Sequence, residues 1–96
     1  MAKVYMDSAN GAHVSQRIRE RIVNPADQVT MVNVIKKLLV LEAPLEAVGE
    51  YQWHINVNGI GRIVLRGHSV RTVYSFNENF PNSPEYRMVG NRLVRS

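Results

Sequence analysis

The chain has 96 residues, enough for one small domain and too few for two independent cores. Its formal net charge is +4. The composition, with 45% hydrophobic and 21% charged residues, is typical of a globular domain rather than a disordered chain. There is no cysteine, which excludes disulfides and thiol chemistry. No apolar stretch has the length of a membrane-spanning helix or a signal peptide, so we expect a single cytoplasmic domain over residues 1–96.

The charge is unevenly distributed along the chain. The first 50 residues balance six cations against six anions, whereas the remainder carries six arginines and only two glutamates. An asymmetry of this kind indicates an anionic partner. Every cation of the second half is Arg, whose planar guanidinium binds phosphate or carboxylate through two parallel hydrogen bonds.

The N-terminal residues predict a short strand followed by a helix. Residues 3–6 are apolar and partly β-branched, which favours an opening strand. The turn-forming residues that follow offer Ser8 or Asn10 as an N-cap. Apolar residues then recur at helical spacing, so we predict a helix over about residues 12–23.

Asn24-Pro25 predicts the start of a second helix, because Asn is a favoured N-cap and Pro is tolerated at the first helical position. We expect this helix over about residues 25–42, before Pro44. Apolar residues occupy all but a sector of roughly 120° around it, more than a surface helix shows. The helix is therefore predicted to be either the centre of the core or the interface of a homodimer.

Beyond residue 50 the hydrophobic period becomes alternating, which predicts an antiparallel meander of three strands, over about residues 50–57, 60–66 and 69–76. Asn58-Gly59 predicts the first hairpin turn. Residues 86–89 and 92–95, around Gly90-Asn91, are predicted to form a small C-terminal hairpin or an ordered tail. The expected class is therefore α+β.

The loop length of the first hairpin decides which side chains share a face. A three-residue loop over residues 57–59, with Gly59 left-handed, places Trp53 opposite Ile63 and Tyr51 opposite Leu65. A two-residue loop would mix arginines with aromatic side chains, so we prefer the longer loop. In the second hairpin we expect Leu65 opposite Val70, Ile63 opposite Thr72, and Gly61 opposite Tyr74, whose ring would cover the glycine.

These registers predict an apolar side of the sheet against the helices and a polar side facing outward. The polar side is expected to carry His54, Arg62, Arg66 and Arg71 with Gln52, Asn56, Val64 and Val73. The rings would then face the core, which disfavours recognition of single strands by base stacking relative to backbone or duplex contact.

The element order β-α-α-β-β-β resembles that of the RelE/ParE-type toxins, small basic proteins of bacterial toxin–antitoxin modules. The resemblance covers roughly residues 3–76 at the level of element order, whereas residues 77–96 differ from a typical toxin ending. For the RelE-like members it implies ribonuclease activity, which we carry as an alternative function.

Metal and cofactor sites are not expected. His13, His54 and His68 fall on three separate elements, with neither cysteine nor a close carboxylate pair. No serine lies in a nucleophile-elbow or triad context. The glycine-rich residues 58–61 lack the Lys-Ser/Thr that completes a phosphate loop.

RNA cleavage is the one reaction that the residues leave open. It would use His54, Arg62 and Arg71 as the catalytic set, with His68 or Tyr74 as other candidate acids or bases. The arginines would hold phosphate and stabilise the developing charge.

The preferred hypothesis is a small non-enzymatic binding protein, without cofactor and without a membrane partner, that engages an anionic partner. Nucleic acid is slightly favoured over an acidic protein surface. The predicted contact residues are Arg62, Arg66, Arg71, His54, Arg87, Arg92 and Arg95. The alternatives are the RelE-like ribonuclease and a phage or plasmid accessory protein that inhibits a host enzyme by direct binding.

Overall fold

A computed structural model describes residues 2–80 and 82–96 and confirms the α+β class. The elements in chain order are α1 (Ser8–Arg21), α2 (Pro25–Leu38), α3 (Leu45–Val48), β1 (Trp53–Val57), β2 (Gly61–Arg66), β3 (Ser69–Ser75), β4 (Glu85–Val89) and β5 (Arg92–Arg95). None of the helices in these ranges is long and apolar enough to cross a membrane.

Helix α1 begins four residues earlier than predicted. Asp7, rather than Ser8 or Asn10, is the N-cap, and its carboxylate accepts a 2.8 Å hydrogen bond from the Asn10 amide. Val14 and Ile18 are buried, as the helical spacing predicted.

Helix α2 begins at the predicted cap, because the Asn24 side chain accepts hydrogen bonds from the amides of Ala26 and Asp27. It ends at Leu38 rather than near residue 42. The chain leaves the helix there because residues 41–43 bond to the N-terminal segment instead.

The predicted opening strand is reduced to two isolated bridges. Lys3 pairs antiparallel with Glu42, and Tyr5 pairs parallel with Ser69. The N-terminal segment therefore lies between the α2–α3 connection and the start of β3, and two backbone hydrogen bonds join it to each.

The sheet has five strands in the order β3-β2-β1-β4-β5. The C-terminal hairpin β4–β5 forms, as one of the two predicted alternatives. It joins the sheet through a parallel pairing of β4 with β1, so the sheet is mixed rather than a purely antiparallel meander. The connection from β3 to β4, described at residues 76–80 and 82–84 and called the crossing segment, consequently runs from the β3 edge to the far side of β1.

The β1–β2 register differs from the prediction by two residues. Trp53 pairs with Leu65 and Ile55 with Ile63, around a loop in which Asn58 and Gly59 both have positive φ. Because the shift is even, each side chain keeps its predicted face. Trp53 is fully buried, whereas Tyr51, expected opposite Leu65, lies before β1 and is 74% exposed.

A β-bulge at Arg71 changes the β2–β3 pairing beyond the predicted pair of Leu65 with Val70. The extra residue places Ile63 opposite Val73 instead of Thr72, and Gly61 opposite Ser75 instead of Tyr74. Beyond the bulge, the β3 side chains predicted to face the core face outward, and those predicted to face outward face the core. Val73, predicted on the polar side, is fully buried.

The core lies between α1, α2 and one side of the sheet, and its largest members are Trp53 and Tyr86. Their rings meet edge to face at 5.2 Å, and Trp53 Nε1 donates a 2.6 Å hydrogen bond to the Gly67 carbonyl. A Cβ at Gly61 would meet Ile22 and Met31, so helical side chains cover this glycine instead of the Tyr74 ring.

Candidate functional site

We define the outer side of the sheet as the side away from the core, where strand alternation directs His54, Arg62, Val64 and Arg66. Their neighbours Trp53, Ile55, Ile63 and Leu65 are fully buried in the core. Arg62 and Arg66 are four residues apart on β2, so their Cα atoms lie about 13 Å apart along one face.

Arg62 is held by two aromatic rings. Its guanidinium carbon lies 4.5 Å from the centroid of the Phe76 ring and 5.2 Å from that of Phe80. One Nη1–H also donates to the Phe76 carbonyl at 3.0 Å. The guanidinium is therefore positioned by stacking and by one backbone contact rather than by a carboxylate.

Arg66 has a similar arrangement at the other end of β2. Its guanidinium carbon lies 4.5 Å from the Tyr51 ring centroid, and its Nη2–H donates to the Tyr51 hydroxyl at 2.7 Å. Both residues are exposed. The arginine and the ring thus form one surface feature at the entrance to β1.

Arg71 is exposed at the β-bulge, where it has no partner on β2. The structure therefore places it on the strand next to Arg62 and Arg66, and no ring of the described residues stacks on it.

The C-terminal arginines form a separate group. Arg87 and Arg92 are exposed, and because Tyr86 and Met88 pack into the core, alternation directs Arg87 to the outer side. Three strand spacings, about 14 Å, separate β5 from β2. Arg95 differs, since it pairs with Tyr86 and lies 5.9 Å from that ring, on the core side of the sheet.

His54 lies on the outer side but only 5% of it is exposed, because the crossing segment covers it. Its ring meets Phe80 edge to face at 4.7 Å. Nδ1 lies 2.8 Å from Ser83 Oγ and Nε2 lies 3.1 Å from Glu85 Oε1. Since a carboxylate can only accept, Nε2 carries the proton and Nδ1 accepts from the serine hydroxyl.

Burial lowers the pKa of His54, and this exceeds the opposing effect of its hydrogen bond to Glu85. The Arg62 charge lowers the pKa further. His54 is therefore a neutral imidazole at pH 7 that holds the crossing segment in place, and it offers no charge to an anion. The sequence did not indicate the contact between His54 and Ser83, because this contact depends on the path of the crossing segment.

A cleft of about 390 Å³ opens beside His54. Its charged lining comprises Arg62 and two acidic residues, Glu78 and Glu85. Arg71, the third member of the proposed ribonuclease set, does not line it. The cleft thus brings together His54 and Arg62 but leaves the predicted catalytic set incomplete.

Ion pairs use few of the predicted arginines. Within residues 2–80 and 82–96, side-chain ion pairs join Arg17 to Glu20 and Arg21 to Glu78, whereas the neutral His54 only donates a hydrogen bond to Glu85. None of the six arginines of the second half lies within 4.0 Å of a carboxylate in these ranges.

Arg21 is a further cation beside the outer side of the sheet, which the sequence did not indicate. Its guanidinium carbon lies 4.6 Å from the Tyr74 ring centroid, and its Nη1–H donates a hydrogen bond to the Val73 carbonyl at 2.8 Å. The bulge makes this possible, because it turns Tyr74 away from the core. A helix residue thereby reaches the edge of β3.

The remaining histidines are engaged singly. His13 contacts the Thr72 hydroxyl, and His68 Nδ1 lies 3.2 Å from the Lys3 carbonyl oxygen. Among the described parts of the chain, no three His, Cys, Asp or Glu side chains are placed to hold a metal ion.

Comparison with protein-family models, with curated proteins and with solved structures found no match to this chain. The resemblance to RelE/ParE-type toxins therefore depends on the predicted element order alone, and the opening strand of that order is reduced to two isolated bridges in the structure. The site must be interpreted from its own geometry.

Proposed function

We propose that the chain is a non-enzymatic binding protein that engages nucleic acid through the arginines of the outer side. The observation that carries the proposal is the pair of ring-held guanidinium groups of Arg62 and Arg66, which have no carboxylate partner in residues 2–80 and 82–96. We include a cytoplasmic location in the proposal, since a chain without cysteine needs no oxidising compartment.

The chemistry of these groups supports an oxyanion partner. A guanidinium has five N–H donors, and Arg62 uses one of them on the Phe76 carbonyl. Stacking contacts the face of the guanidinium and leaves its edge, where the donors lie, for phosphate. Because the rings fix each guanidinium in advance, less side-chain entropy is lost when an anion binds.

The arrangement favours a chain of phosphates over a single anion. Arg62 and Arg66 are separated along β2, Arg71 lies on the adjacent strand, and Arg87 and Arg92 extend the cationic surface across the sheet. We assign these five arginines to the interface. His54 and Arg95 are left out, since one is buried and neutral and the other lies on the opposite side.

The test is fluorescence anisotropy of labelled 20-nucleotide DNA and RNA at low salt, with purified wild-type protein. We expect binding that weakens steeply as salt increases, because counterions are released from the phosphates. Purification of the tagged protein from lysate, with and without nuclease, is the companion measurement. The opposite result would be no binding to DNA or RNA at low salt, together with an acidic protein that co-purifies stoichiometrically even after nuclease treatment. That result would identify a protein-binding surface instead.

A RelE-like ribonuclease is the second candidate, and the cleft that holds His54 beside Arg62 is the observation that favours it. Incubation of the protein with labelled RNA tests it. Under the binding proposal the RNA stays intact. Cleavage that is lost in His54→Ala but retained in His13→Ala would establish the enzyme instead.

A further inference from the structure

Exposed rings accompany the arginines of the outer side. Tyr51 is 74% exposed and Phe76 is 38% exposed, although large aromatic side chains usually lie inside a small domain. Each ring has an arginine 4.5 Å from its centroid, Arg66 for Tyr51 and Arg62 for Phe76. The two rings therefore belong to the same cationic surface.

The arginines hold the rings without covering them. Arg66 can occupy only one face of Tyr51, and the large exposed fraction of this residue leaves room for a second planar group. Phe76 directly follows β3, and its backbone amide donates a hydrogen bond to the Ile60 carbonyl at 3.3 Å. The backbone that carries this ring is therefore fixed as well. Both rings are positioned before any partner arrives.

Planar groups next to regularly spaced phosphates are found in single-stranded nucleic acids. Their unpaired bases stack on aromatic side chains while arginines contact the backbone. Bases inside a duplex are already stacked on one another and present only their edges. The combination of ring and guanidinium thus distinguishes a single strand from a duplex.

We propose that Tyr51 and Phe76 are base-stacking positions, so that the preferred ligand is a single-stranded nucleic acid rather than a duplex. This inference rests on the proposed function and corrects the expectation that all rings face the core. The stacking positions at the two ends of β2 would bind separate bases of one strand, with Arg62 and Arg66 on the phosphates between them.

The experiment compares four labelled ligands of equal length by anisotropy: dT₁₂, rU₁₂, a 12-mer of abasic sites, and a duplex of 12 base pairs. The duplex carries twice the phosphate, so it would bind most tightly if charge alone decided affinity. We expect dT₁₂ and rU₁₂ to bind at least tenfold more tightly than the abasic strand and the duplex. Preference between dT₁₂ and rU₁₂ then identifies DNA or RNA as the ligand.

Tyr51→Ala and Phe76→Ala should each weaken binding of the base-bearing strands by about tenfold. Binding of the abasic strand should weaken much less, because that strand loses only the positioning of one arginine. Tyr51→Phe keeps the ring and loses only the hydroxyl contact with Arg66, so it should retain much more of the base-dependent binding than Tyr51→Ala. Fluorescence of the buried Trp53 reports whether each variant folds, and a substitution that unfolds the chain is replaced by Tyr51→Leu or Phe76→Leu.

Equal affinity for all four ligands, or unchanged affinity in both alanine variants, would overturn the stacking proposal while leaving backbone binding intact. Failure of every ligand to bind at low salt would overturn the proposed function itself.

Discussion

Arg62 and Phe76 contact each other twice: the guanidinium carbon lies 4.5 Å from the ring centroid, and Nη1–H donates to the carbonyl of the same residue at 3.0 Å. These contacts join the start of β2 to the end of β3. They also hold a cation on the outer side of the sheet, where a partner can reach it. Stability and binding therefore share this residue pair.

Arg62→Ala and Arg66→Ala should each weaken nucleic-acid binding to a similar degree for all sequences, because a phosphate contact carries no base information. Arg19→Ala removes the same charge from α1 and is the matched control. We expect each outer-side variant to lose several-fold more affinity than the control, measured by anisotropy at fixed salt. Equal losses in all three variants would show that only net charge matters.

His54→Gln should reduce the pH dependence of stability between pH 7 and pH 5. Because burial lowers the pKa of His54 in the folded state, the unfolded chain binds a proton more readily once the pH falls below about 6.5. The free energy of unfolding of the wild type therefore decreases as the pH falls, and the decrease levels off below the folded-state pKa. Urea denaturation followed by Trp53 fluorescence measures both proteins, and parallel pH curves would exclude a neutral buried His54.

Gly61→Ala should destabilise the fold by about 1–3 kcal/mol, because overpacking a core forces its neighbours to move. The added Cβ would lie 2.8 Å from the Tyr74 carbonyl oxygen and 3.0 Å from Ile22 Cδ1. Gly49→Ala is the control, since nothing lies within 4 Å of its Cβ position, and it should change stability by less than about 0.5 kcal/mol. Denaturant unfolding of both variants checks the difference, and equal stabilities would contradict the packing described around β2.

Tyr86→Phe should raise the free energy of unfolding by about 1 kcal/mol. The Tyr86 hydroxyl is buried without a hydrogen-bond partner in the described residues, and an unsatisfied buried polar group is destabilising. Thermal and urea unfolding measure the effect. A loss of stability would mean that the hydroxyl has a partner in solution, for which Arg95, 5.9 Å from the ring centroid, and Glu46 are the candidates.

The homodimer predicted to form through residues 25–42 stays a prediction, but fewer apolar side chains of this helix are exposed to support it than the sequence suggested. Met31, Ile35 and Leu38 are buried within the chain, which accounts for much of the apolar surface. Val29 and Val32 remain exposed at 59% and 39%. These two side chains are what a second copy would cover.

Local patterns were sufficient for the features that depend on neighbouring residues. The cap at Asn24, the left-handed Gly59 and the faces of Trp53 and Ile63 follow from propensity and period two. The even register shift left these faces unchanged.

The features that required the structure are non-local. Nothing in the sequence around Arg71 marks a bulge, yet one extra residue there buries Val73 and brings Tyr74 to the outer side. The parallel pairing of β4 with β1 likewise depends on the path of the crossing segment, in which Phe80 packs on His54. The one hint was Phe80 itself, an aromatic residue in an otherwise polar loop.

The most direct test of the account is the salt dependence of nucleic-acid affinity in wild type and in the double variant Arg62→Ala/Arg66→Ala. For single strands, the slope of log affinity against log salt changes by about 0.7 for each phosphate contact. We predict a steep wild-type slope that becomes shallower by about 1.4 in the double variant, measured under conditions in which Trp53 fluorescence shows that both proteins are folded. Identical slopes would show that these two arginines do not contact phosphate, which would contradict the central claim.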